Sequence, residues 1–192
     1  MAPTGAGCDA RGVPELTVPT TDLHAAWLES RDDWGRGVQQ DGSGLRPDDE
    51  VDRAEDFAAC IDRLLREEDV SVPPAEGRVH CTTRWITEDG AVLGSISLRH
   101  ELNDFLLRAG GHLGYGVRPS ARRRGLARWA VREAFDLARD LGIGRLLITC
   151  DDSNVASQAV IEGAGGVLED IRETELGTTR RYWVDLASTS AR

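Results

Sequence analysis

Five arginines fall within VRPSARRRGLARWA, the stretch from Val117 to Ala130: Arg118, Arg122, Arg123, Arg124 and Arg128, with no acid among them. Forked guanidinium donors match phosphate oxygens. The run joins an extended segment, HLGYGV, to an amphipathic helical pattern, and Gly125 lets a ligand reach the backbone with no Cβ in the way. A helix start offers unpaired N–H groups and the positive end of its dipole. Cations placed there alone are mildly unfavourable, so the pattern points to a bound anion more than to a solvated basic helix start. A nucleotide P-loop is excluded, because that motif needs lysine and all 23 basic residues here are arginine. The glycines of GGHLGYG precede or interrupt a strand, which makes a dinucleotide turn a weak match.

The elements that must position this turn are readable in outline. ELTVPT (15–20) reads as a strand, and TTDLHAAWLESRDDW as a helix with Thr and Asp available as caps. The stretch 35–50 is a polar Gly/Asp loop, expected to be mobile. Phe57, Ile61, Leu64 and Leu65 mark an amphipathic helix within 51–70. VHCTTRWIT and AVLGSISLRH flank an Asp-Gly turn, a hairpin signature. ELNDFLLRAG reads as a short helical piece and GHLGYGVRP as a strand. A long helix is expected from near Arg123 to about Leu141, then GRLLITC as a strand buried on both faces. SNVASQAVIEGAGG is a helix closed by glycines, and VLEDIRE and RRYWVDL are final strands around an LGTT turn. The order predicts an α/β (α+β) domain, a mixed central sheet flanked by helices, over 15–186. Residues 1–14 read as a disordered lead-in and 187–192 as a tail.

VRPSARRRGLA resembles the motif V-x-P-x-x-R/Q-x-x-G-x-G/A of the GCN5-related N-acetyltransferases, or GNAT family, with Val117, Pro119, Arg122, Gly125 and Ala127 at its fixed positions. DDSNVASQAVIEGAGG resembles the family's downstream N-x-x-A/S helix, with Asn154 and Ser157 in place. A subgroup of acetyltransferases marked by SLRHELN, GGHLGYGVRPS and ITCDDSN is similar over about residues 78–185. The resemblance implies the GNAT fold, acetyl-CoA as cosubstrate, and direct transfer of acetyl from the thioester to an amine. It implies a cofactor site of Tyr115, Gly116, Val117, Arg122, Arg123, Arg124, Gly125, Leu126, Ala127, Asn154 and Ser157, with an oxyanion donor from the backbone near Tyr115 to Val117.

The sequence departs from the family at two places. Ile161 stands where many members carry a tyrosine as general acid, so Tyr115 or Ser157 could substitute, or CoA could leave as thiolate. Gly111 falls about where many carry a glutamate. His112, by the pKa of imidazole, is the first candidate base, with Glu101 and His100 next. Each also has a structural reading: His112 as a packed strand residue, His100 and Glu101 as a helix-capping region, Asn103 as a local hydrogen bonder. Arg99, His100, Glu101 and Asn103 sit where an acceptor pocket could be lined. A non-catalytic acyl-CoA sensor on the same fold is the competing reading.

The chain of 192 residues carries net charge −10, and residues 1–70 hold seven arginines against 17 acids. That balance argues against nucleic-acid binding, which needs many phosphates neutralised, and hints weakly at a cationic acceptor. Four scattered cysteines (Cys8, Cys60, Cys81, Cys150) without C-x-x-C read as free thiols, with no zinc site and no other metal. No run reaches the length of a membrane span, and the N-terminus lacks a signal-peptide core. A cytoplasmic protein with a small-molecule or peptide amine acceptor is expected, and a homodimer by analogy only.

Overall fold

In the computed structural model, which describes residues 12–187, Asp89 and Gly90 both have positive φ (50° and 79°). This is the geometry a two-residue hairpin needs, and it pairs β2 (Cys81–Glu88) with β3 (Ala91–Arg99) in antiparallel register. A short β1 (Glu15–Thr17) covers the outer edge of β2. On its other side β3 pairs with β4 (Leu113–Val117), and the remaining strands are β5 (Arg145–Asp151), β6 (Val167–Thr174) and β7 (Gly177–Asp185). The seven strands run β1-β2-β3-β4-β5-β7-β6, with β4 and β5 the one parallel neighbour pair.

Helices cover both faces. On one side α1 (His24–Trp34) and α2 (Ala54–Glu68) close a core in which Phe57, at the centre, lies against Trp27 and Trp85. On the other, α3 (Leu126–Asp140) buries Leu126, Ala130, Val131, Ala134, Phe135 and Ala138, the i, i+4, i+5, i+8 stripe of an amphipathic helix. That stripe packs with Leu146, Ile148 and Tyr182 of the sheet and with Ile161 of α4 (Val155–Gly163). Leu146, Leu147 and Ile148 are fully buried, as a strand covered on both faces requires. Each such side chain contributes roughly 1.5–3 kcal/mol by leaving water.

Several local expectations are corrected. The long helix starts at Leu126, after a turn over Arg122–Gly125 in which Arg123 (φ 60°) and Gly125 (φ 82°) are both left-handed, so Arg123 itself stands in the bend and not in the helix. The last turn lies at Glu175–Leu176, ahead of the expected LGTT, and Thr178 and Thr179 belong to β7. The helical piece before β4 ends in a π-turn, Leu106–Gly110. The loop 35–50 is packed rather than loose, with Gln40 and Ser43 buried. Many of the N-terminal acids are engaged by arginines, including Arg31 with Asp32 and Asp52, Arg63 with Asp49, and Arg84 with Glu68. Cys60, Cys81 and Cys150 are free thiols; Cys8, residues 1–11 of the lead-in and all of the tail but Ala187 lie outside the described residues.

Candidate active site

β4 and β5 share a single rung, Leu113 opposite Ile148, and then diverge. On its other side β4 stays paired with β3 as far as Gly94 opposite Val117. Arg99 N–H donates to His112 O and Arg118 N–H to Leu93 O, which fixes the phase of that ladder. Because antiparallel residues alternate between facing the partner and facing away, the backbone groups of Tyr115 and Val117 point into the gap. A sheet interior thus presents backbone donors unused by either neighbouring strand.

A cavity of about 920 Å³ opens along this gap, lined by Gly114 to Val117 on one side and Thr149 to Asp151 on the other. The arginine turn lies at one end. Arg122 donates from Nε to Val117 O (3.0 Å) and lies over the Trp34 ring at 4.9 Å, so its position is fixed from two sides. Arg123 is exposed at the cavity wall and pairs with no described carboxylate. At Gly125 an added Cβ would meet nothing within 4 Å, so the helix start faces open space. These features fit a diphosphate: a positive helix end, a fixed guanidinium, a free one, and room.

Of the expected cofactor residues, Tyr115, Gly116, Val117, Arg122, Arg123, Gly125, Leu126, Ala127, Asn154 and Ser157 all line this cavity. Arg124 does not. Its Nη2 donates to both oxygens of the Glu88 carboxylate at 2.6 Å, tying the bend to β2. Asn154 Oδ1 accepts from Ser157 N–H (3.0 Å) and caps α4. The Tyr115 hydroxyl lies 2.7 Å from Ser157 Oγ, and burial pushes its pKa up to about 12.

The candidate bases fare differently. His112 is 7% exposed and lines no described cavity. Its Nδ1 accepts from Leu147 N–H (2.9 Å), its ring meets Trp183 edge-on, and burial lowers its pKa to about 4. It is a structural acceptor that locks β4 to β5, not a base. Glu101 is exposed and outside both cavities, and His100 bonds to Thr82 Oγ1 (2.9 Å) and stacks on His80. Asn103 caps its turn by accepting from Leu106 N–H, and it and Arg99 line a second cavity of about 560 Å³. Arg99 lines both cavities and donates to the carbonyls of Gly110 and Gly111. Gly111 (φ 63°) would bring a Cβ to 2.8 Å from Leu147 O, so no glutamate can stand there.

Because imidazole has pKa about 6.5 in the unfolded chain and about 4 here, only the unfolded state takes up a proton as pH falls through that window. Stability should therefore drop by on the order of 3 kcal/mol between about pH 6.5 and pH 4. In His112→Asn, whose Oδ1 can accept the Leu147 bond, that part of the drop should vanish. Melting curves across this range check it; an unchanged pH slope in the variant would contradict the assignment.

Sequence reasoning missed Asp41, which lines both cavities. It comes from the loop after α1, and nothing in the local sequence signals its place.

A model of the acetyltransferase (GNAT) domain matches residues 47–167. The chain belongs to the GNAT acetyltransferases. It is accordingly an N-acetyltransferase. No curated protein sequence matches it. This GNAT chain superposes on RimJ of Mycobacterium smegmatis, in complex with CoA-disulfide (TM-score 0.69, 17% identity, 94% of this chain and 85% of that one). It is also similar to a Salmonella typhimurium acetyltransferase that modifies the N-terminal serine of the 50S protein L7/L12 (TM-score 0.62, 17% identity, 90% and 94% covered). A third is the Microcin C7 self-immunity acetyltransferase MccE with acetyl-CoA and AMP (TM-score 0.62, 15% identity, 96% and 97% covered). At these identities the likeness is one of fold. Among the described residues of this GNAT no cluster of His, Cys, Asp or Glu could hold a metal ion, and no helix is long and apolar enough to cross a membrane.

Proposed function

We propose that the chain acetylates a primary amine by direct attack on the thioester of acetyl-CoA, the amine being an α-amino group of a peptide or of a small molecule. The observation that carries this reading is the gap beyond the Leu113–Ile148 rung, with an anion cradle at one end and free N–H groups along it. The diphosphate lies at Arg122, Arg123 and the Gly125–Leu126 helix start, and the thiol-bearing arm runs along β4. The Tyr115 or Val117 N–H then faces the thioester oxygen as it takes on charge, and pre-aimed donors of this kind act where solvent is excluded. A covalent relay through Cys150 is disfavoured, since burial pushes its thiol up to about 11 and leaves little thiolate.

Ile161 is buried in the core and supplies no proton. The Tyr115 hydroxyl, in the cavity and protonated at neutral pH, takes that place opposite the departing sulfur, which favours an enzyme over a silent sensor. The second cavity, which shares Asp41, Gly42, Arg99 and Phe105 with the first, gives room for the acceptor beyond its reacting nitrogen. The fold likeness to an enzyme of a protein N-terminal serine makes peptides with free α-amino groups the first acceptors to try.

Calorimetric titration with acetyl-CoA and thiol release with a panel of amines and peptides test the reading. With no lysine in the chain, its side chains offer no amine to compete as acceptor. Arg122→Ala should weaken acetyl-CoA about tenfold, a loss near 1.4 kcal/mol. Arg124→Ala should leave affinity within about twofold and lower stability by roughly 1–3 kcal/mol, because Glu88 loses its partner. Equal effects of the two variants on affinity, or no thiol release with any amine, would count against the proposal.

A further inference from the structure

Two carboxylates among the described residues line the acyl-donor cavity, Asp41 and Asp151. Asp151 is committed, because its Oδ1 accepts from both the N–H and the hydroxyl of Ser153. The Asp41 carboxylate accepts no hydrogen bond from any described residue. Its only oppositely charged neighbour among the described residues is Arg99, whose Nη1 donates to the carbonyls of Gly110 and Gly111.

The backbone under Asp41 is held against β4. A Cβ on Gly42 would stand 2.4 Å from Gly114 O, and a Cβ on Gly116 would stand 2.8 Å from Asp41 O. Only glycines at these positions allow so close an approach. Ser43 N–H and hydroxyl both donate to Gln40 O, closing the loop into a tight turn around Asp41. Asp41 therefore rides on the strand that presents the free N–H groups, and its side chain stands where the two cavities join.

We propose that Asp41 is the catalytic base of the acetyl transfer, receiving the proton of the acceptor's ammonium group at the junction of the two cavities. This rests on the acetyltransferase reading given above. The ammonium gives one proton to the Asp41 carboxylate, and the neutral nitrogen attacks the thioester carbon. The C–N bond forms, the carbonyl electrons move to oxygen, and the C–S bond then breaks as they return. The second nitrogen proton leaves in that step and one proton goes to the sulfur, giving amide and free CoA thiol; Asp41 returns its proton to solvent. Asp41 is exposed to the cavity's solvent, yet enough protein surrounds it that burial raises its pKa, which brings it closer to the pKa of an amine. The titratable and charged groups that reach it are Arg99 from β3, which opposes the rise, and Tyr115 from β4.

The test compares wild type, Asp41→Asn and Asp41→Glu, with acetyl-CoA and the fastest amine of a panel that includes n-butylamine and a peptide with a free N-terminal serine. Asp41→Asn should lower kcat about 100-fold or more and erase the lower-pKa limb of the rate–pH profile, leaving only the limb set by the amine itself. Asp41→Glu should recover part of the rate and restore that limb. Acetyl-CoA affinity and the melting midpoint should stay at wild-type values. A variant Asp41→Asn that keeps kcat within about threefold, or keeps the lower-pKa limb, overturns the proposal. So does a loss of rate matched by a loss of acetyl-CoA affinity or of melting midpoint. If the wild type binds acetyl-CoA but releases thiol with no amine, the acetyltransferase reading fails first and the proposal with it.

Discussion

Replacing Gly125 with glutamate is expected to abolish acetyl-CoA binding while the fold survives. The residue sits at φ 82° immediately before the first turn of α3, and a Cβ there would enter open space. No atom has to move to admit a side chain, so the folding cost is the left-handed backbone alone, about 1–2 kcal/mol. That is tolerable against a typical stability of roughly 5–15 kcal/mol. The cost to binding is larger, because a carboxylate would stand beside the unpaired N–H groups and beside Arg122 and Arg123, offering them the charge a diphosphate would bring. The dissociation constant should rise at least about 100-fold, or 2.7 kcal/mol. Gly125→Ala carries the same backbone strain without the charge and should bind within a few-fold of wild type. Calorimetry on both variants separates strain from electrostatics. Wild-type affinity in Gly125→Glu would place the anion elsewhere.

The second large effect is expected at Gly42. Its φ is 76°, and a Cβ would stand 2.4 Å from Gly114 O and 2.7 Å from the Tyr115 Cα. Both obstacles are backbone, so Gly42→Ala must lift the loop from β4. That displaces the wall between the cavities and the carboxylate it carries. A shift of about 1 Å in a reacting group can cost about 100-fold in rate, and turnover should fall by that order. Acetyl-CoA affinity should change far less, since the arginine turn is held by Val117, Trp34 and Glu88. Gly77→Ala supplies the control: φ is 72° and nothing lies within 4 Å, so it has the strain without the collision. Steady-state kinetics on the pair decide the matter, and equal rates in the two variants would show that loop docking does not govern turnover.

The arginine turn was legible because its signals are local. Pro119 stops a strand, Gly125 supplies a left-handed residue and the apolar stripe from Leu126 declares a helix, all within one short span. The hairpin at Asp89-Gly90 and the buried strand at Leu146–Ile148 were legible for the same reason. Two side chains are engaged elsewhere than their type alone suggests. His112 has the right intrinsic pKa for a base, but the Leu147 N–H occupies its Nδ1 and burial keeps the ring neutral. Arg124 looks like its neighbours, yet Glu88, on another strand, takes its guanidinium. Asp41 was illegible for a third reason. Its place depends on Gly42 meeting Gly114 across a long stretch of chain, and close contact between glycines leaves no periodic trace in a sequence.

The single rung between β4 and β5 has a mechanical consequence. Along the sheet, β1 to β4 and β5 to β6 are two plates that touch at Leu113–Ile148, while the α3 core bridges them beneath. A ligand seated in the opening occupies the position of a missing strand and braces plates whose strands are joined at this rung and the adjoining His112–Leu147 hydrogen bonds. If the acyl donor seats in this opening as proposed, it is also a structural member, and the loaded molecule is the stiffer one.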